Sequence, residues 1–162
     1  MAHQIDSFPE RVMAEGDDGV EVAVAAYHLS DANTLRNDVA EVQLAAQQLV
    51  AAFARNDTQA YFASFTEDAT FVLHNLELPL RSRHAWYTQW TSWQAEGFSI
   101  LDCVSSNTHV QVCGEVAIFF HDVDTRIQVD GQQSLLTERE TIIFRRTSQG
   151  WLACHEHLSP RL

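Results

Sequence analysis

The period of the apolar residues changes along this chain, and that change limits the possible folds more than any other feature. Before Gly97 most apolar residues recur every three or four positions; from Phe98 onward they alternate. The first pattern puts side chains on one face of a helix, the second on one face of a strand. Leu35, Val39, Val42, Leu44, Leu49 and Phe53 form one stripe of a helix that Asn33 or Thr34 can cap and that runs to about Arg55. Asn56-Asp57 reads as a stop and restart, with Asp57 or Thr58 capping a short helix over 59–65. Residues 69–73 read as a strand, 76–80 as a loop and 82–95 as a third helix carrying Trp86, Trp90 and Trp93 on one face. Four long strands follow, over 98–112, 116–129, 134–146 and 151–158, with Asp130-Gly131 a strong hairpin signal. Helices first and a meander afterwards predict an α+β domain, a curved and mostly antiparallel sheet wrapped around the N-terminal helices.

Residues 1–33 stand apart. They hold seven acids against Arg11, and glycines at 16 and 19 interrupt helical patterning. The expectation is a partly mobile acidic arm followed by one domain over 34–162. The whole chain carries 22 acids against 10 bases, all of them arginine, for a net charge of −12. That balance argues against nucleic acid or an anionic membrane as a partner. No apolar run approaches the roughly 18 residues of a membrane span. The first residues lack the basic and apolar regions of a secretory signal, so a cytoplasmic location is expected. Cys103, Cys113 and Cys154 form no CxxC, and the six glycines never cluster into a dinucleotide or phosphate loop.

The run Thr137–Arg146, a turn, Gly150-Trp151 and then His155-Glu156-His157-Leu158-Ser159 resembles the closing hairpin of SnoaL-like domains, in the nuclear transport factor 2-like superfamily. His109-Val110, Gly114-Glu115 and Ala117 resemble the preceding hairpin of its calcium/calmodulin-dependent protein kinase II association-domain branch. The likeness covers roughly residues 34–160. It implies a cone-shaped α+β barrel, a homodimer, and a pocket between the concave sheet and the helices. Members include isomerases, hydratases, cyclases and non-catalytic assembly domains. The association domains place arginines in the pocket at positions matching Thr141, Leu158 and Val123; none is basic here, so an anion pocket of that design is not expected.

The Asp130-Gly131 turn sets Asp122 opposite Arg139 and His121 opposite Glu140, and a four-residue loop 147–150 sets Thr141 opposite Glu156 and Glu140 opposite His157. Opposed residues share a sheet face. One row then holds Asp122, Arg139, Thr141 and Glu156; the other holds His121, Glu140, His155 and His157. A single bulge would exchange these groupings. The resemblance turns Thr141 and Leu158 inward, which makes the first row the expected pocket lining. There Glu156 or Asp122 would be a general base with its pKa raised by desolvation, and Arg139 would orient the ligand. The alternative is an ion pair that holds two strands in register. The second row suggests a metal, but His155 and His157 lack the spacing of HExxH, and a histidine pair on a sheet face more often hydrogen-bonds at an interface.

Trp86, Trp90 and Trp93 read first as core, with Trp90 and Tyr61 the ones able to touch a ligand. His74 and His84 read as surface. The expected function is binding of a small hydrophobic molecule, with cofactor-free acid/base chemistry of isomerase, cyclase or hydratase type if catalytic. The alternative is a non-catalytic binding or oligomerisation module like the kinase association domain. No cofactor or metal is expected.

Overall fold

The computed structural model describes residues 18–161, with side chains from Asp31 onward. The chain divides between Thr34 and Leu35, and the sheet and the hydrophobic core belong to the unit after that division. Of the expected arm over 1–33, residues 1–17 lie outside the described part.

Helix α1 spans Asp18–Ala54, so it starts well before the expected cap at Asn33 or Thr34. Residues 20–29 contain no proline and are rich in alanine, and Gly19 sits in the first turn, where a glycine interrupts nothing. Past Leu35, Val42, Ala46, Leu49 and Ala52 form the buried stripe, narrower than expected because Leu35 and Leu44 stay half exposed. Asn56 stops the helix in a left-handed conformation (φ 55°). Its side chain then clamps the backbone of Ile100, accepting from the amide at 2.9 Å and donating to the carbonyl at 2.8 Å. Helix α2, Thr58–Ala63, is capped by Asp57. Strand β1 runs Phe65–Leu73 and α3 runs Arg83–Ala95 with Ser82 as its N-cap.

The remaining strands are β2 Ser99–Cys113, β3 Val116–Val129, β4 Gln132–Thr147 and β5 Gly150–Pro160. Asp130 and Gly131 both adopt positive φ (48° and 78°), as a two-residue turn of this kind requires. The five strands lie in the order β1-β5-β4-β3-β2, with β1 and β5 parallel and the rest antiparallel. The sheet is open, with β1 and β2 as its edges, rather than closed into a barrel. Phe65, Phe71, Ile142, Phe144 and Trp90 are almost wholly buried between the helices and one sheet face.

The β3–β4 register is the expected one, with Asp122 opposite Arg139 and His121 opposite Glu140. The β4–β5 register starts as expected, with Arg146 opposite Trp151, and then slips. Phe144 pairs with Ala153 but Ile143 pairs with His155, which leaves Cys154 as an extra, bulged residue. Beyond it Ile142 faces Glu156, Thr141 faces His157 and Glu140 faces Leu158. The expected rows are therefore exchanged: Glu156 joins His121 and Glu140 on the inner face, and His155 and His157 join Asp122, Arg139 and Thr141 on the outer one.

Candidate functional site

Between the inner sheet face and the helices lies a cavity of about 420 Å³. Its walls are mostly apolar and aromatic: Phe53 from α1, Tyr61 from α2, Trp86, Trp90 and Trp93 from α3, and Phe98 before β2. The helical spacing of the tryptophans brings all three to it, so they are core and lining at once.

The polar end is built from six elements. Glu156 on β5 is 4 % exposed, and the Tyr61 hydroxyl donates to its Oε2 at 3.4 Å. The Trp86 indole N–H in turn donates to the Tyr61 oxygen at 3.1 Å. Glu140 on β4 hydrogen-bonds to Glu156, and its Oε2 lies 2.5 Å from His121 Nε2 on β3. His121 is 1 % exposed, and its Nδ1 lies 2.6 Å from the Ser105 hydroxyl on β2.

Burial dominates the protonation states of this chain. It pushes the Glu140 carboxyl up to about 7, although the bond from Glu156 works in the opposite direction. Glu156 is raised well above the ordinary carboxylate range, first by burial and then by the Glu140 charge. Tyr61 is raised by burial and by Glu156. His121 is lowered to about 4 by burial, against the pull of Glu156 and Asp122. Near neutral pH the carboxyl pair therefore still holds a proton, and His121 is neutral. With Glu140 ionised, Glu156 O–H and His121 Nε2–H both donate to it, while Ser105 donates to Nδ1. The donors converge on one carboxylate that is half-titrated near neutrality, a state suited to taking and returning a proton.

The outer face does something different. Asp122 accepts from Asn107 Nδ2 at 2.8 Å and from Arg139 Nε at 3.0 Å, and Arg161 lies 3.3 Å away. The Asn107 hydrogen bond and then the Arg139 guanidinium hold its carboxyl below the usual range. Asp122, Arg139 and Thr141 thus lie away from the cavity, correcting the expected pocket row; the bulge at Cys154 separates Glu156 and Leu158 from them and carries both to the inner face. His155 bonds Thr70 Oγ1 at 2.8 Å and stands with His157 on that outer face, away from Glu140, so the three do not converge on a metal. His74 is not plain surface: its Nε2 lies 2.5 Å from Glu138 Oε1. Glu138, buried and lining the cavity, was missed by the sequence reading; its position two before Glu140 on one strand is the signal that points to it.

The chain belongs to the SnoaL-like domain family, whose model matches residues 42–162. Solved structures agree with that placement in fold. A proposed aromatic ring hydroxylase of Novosphingobium aromaticivorans superposes with a TM-score of 0.70 at 24% identity, covering 78% of this chain and 90% of that one. A ketosteroid isomerase-like protein of Erwinia carotovora atroseptica gives 0.66 at 16% identity, covering 77% and 97%. A proposed calcium/calmodulin-dependent kinase II association domain of Exiguobacterium sibiricum gives 0.64 at 12% identity, covering 75% and 92%. No curated protein matches the chain.

Proposed function

We propose that the protein is a cofactor-free acid/base catalyst acting on a small, largely apolar carbonyl compound held in this cavity, with Glu140 as base and Glu156 and Tyr61 as donors. The observation that carries the reading is the buried Glu140–Glu156 pair opening onto an aromatic cavity. The ionised Glu140 takes a proton from the carbon beside the carbonyl. The electron pair moves onto the carbonyl oxygen, which receives a hydrogen bond from the Glu156 or Tyr61 O–H. Return of the proton to the same carbon restores the substrate; return to another carbon isomerises it, and no electrons are gained or lost. Asp122, Arg139 and Thr141 have no part in this step, and Trp90 packs the ligand. The protein works as a homodimer joined through the outer sheet face.

Deuterium exchange tests the chemistry without knowledge of the natural substrate. Cyclic and aryl ketones incubated with the protein in D2O are expected to exchange α-hydrogens, read by proton NMR. Glu140→Gln should slow that exchange about 100-fold or more. Absence of exchange across the panel, or undiminished exchange by the variant, would return the weight to a non-catalytic binding module.

A further inference from the structure

The charge of the cavity is one-sided. Four carboxyl groups line it, Glu96, Glu138, Glu140 and Glu156, and among its lining residues there is no arginine or histidine. The chain has no lysine, and its ion-paired arginines bind acids elsewhere. Arg139 and Arg161 hold Asp122 on the outer face, Arg145 holds Asp68, and Arg146 reaches Asp38 at 2.5 Å while lying over Trp151. The neighbours facing Glu140 supply hydrogen bonds or negative charge but no fixed cation. They are His121 from β3, the Cys103 thiol from β2, Glu138 from its own strand, Glu156 from β5 and Tyr61 from α2. His74 meets Glu138 from the loop after β1. A buried carboxylate ordinarily has a cationic partner. Here the place where such a partner would stand is open cavity, walled by Tyr61, Trp86, Trp90 and Trp93. Rings of this kind present negative faces to a cation, and their preference for ammonium groups grows as water is excluded.

We infer that the cavity selects a small organic cation, an apolar body carrying a protonated amine or quaternary ammonium, with Glu140 as its counter-ion and the α3 tryptophans as its walls. This rests on the cavity being the binding site named above and adds the charge of the substrate. Anions are excluded by the same carboxyl groups. Because the cation needs Glu140 ionised, binding releases a proton whenever that carboxyl starts protonated, and affinity depends on pH.

The test compares benzyltrimethylammonium with its neutral carbon isostere, neopentylbenzene, and with the anion phenylmethanesulfonate, followed by tryptophan fluorescence. At pH 8 the ammonium is expected to bind at least 10-fold more tightly than the isostere, with no binding of the sulfonate. Lowering the pH below 7 should weaken ammonium binding, approaching 10-fold per unit, and leave the isostere nearly unchanged. Glu140→Gln should bring ammonium and isostere within about 3-fold of each other; the wild-type pH series stands on its own where that variant fails to fold. Equal or tighter binding of the isostere, binding of the sulfonate, or no binding by the ammonium overturns the inference. Exchange of neutral ketones without ammonium preference would overturn only the charge assignment. Ammonium binding without any ketone exchange would overturn only the acid/base reading.

Discussion

Glu140 and His121 sit 2.5 Å apart, and burial drives their titrations in opposite senses. Glu140 binds its proton more tightly folded, with a pKa of about 7 against 4.5, so its contribution to stability is present below pH 4.5 and lost as the pH rises through 7. His121, at about 4 against 6.5, resists its proton when folded, so stability falls as the pH drops from 6.5 through 4. Each effect is on the order of 3 kcal/mol, and between pH 4.5 and 6.5 they oppose each other. Glu156, raised chiefly by burial, adds a second slope of the Glu140 sense. The wild type, with two such carboxyls against one histidine, is therefore expected to lose stability in urea from pH 4.5 to 6.5, while Glu140→Gln changes much less over that span. In the sequence Glu156 reads as a general base and Tyr61 as a ligand contact, while His121 and Glu140 stand in the second row, the one that suggests a metal or an interface. Their protonation states are not legible there, because those depend on desolvation by β3, β4, β5 and α2 together.

At the level of elements, one extra residue decides which carboxylates meet. Without the bulge at Cys154, Glu156 would face Thr141 on the outer side; with it, Glu156 faces Ile142 and reaches Glu140. The hairpin turn at 130–131 fixes the β3–β4 register from sequence, because a two-residue turn leaves no slack. The β4–β5 loop fixes only the first few pairs, and strand curvature sets the rest. Helix α3 owes its position to signals at its two ends. The Ser82 hydroxyl accepts from the Ala85 amide at 3.0 Å, and Ser82→Ala should cost about 1 kcal/mol in urea denaturation. Gly97 ends the helix at φ +85°, where an added Cβ would meet Asp130 Oδ1 at 2.9 Å and the Asp130 amide nitrogen at 3.3 Å. Gly97→Ala should thus cost more than Gly114→Ala, whose φ is +64° with nothing near the new methyl. The first combines about 1–2 kcal/mol of backbone strain with displacement of the β3–β4 turn; the second carries the strain alone.

On the scale of the whole molecule, the two sheet faces divide the work. The inner face carries the aromatic cavity, and the outer one carries arginine–aspartate pairs around the 40 % exposed Phe120, which stacks near His109. The proposed dimer should sediment at twice the 18.3 kDa of one chain, and Phe120→Asp should return it to that mass. The sequence by itself determined the element types, their order and the family, since side-chain periodicity and turn chemistry are local properties. It also determined that the inner residues of one strand travel together, as His121 does with Phe119 and Val123. Only the tertiary structure decided which strand face met which, that the sheet stays open, and that Glu156 has Glu140 rather than Arg139 beside it. The physical reason is that a strand's alternation has two equivalent phases. A single unpaired residue switches between them, and sheet curvature and packing against β1 choose where that residue goes.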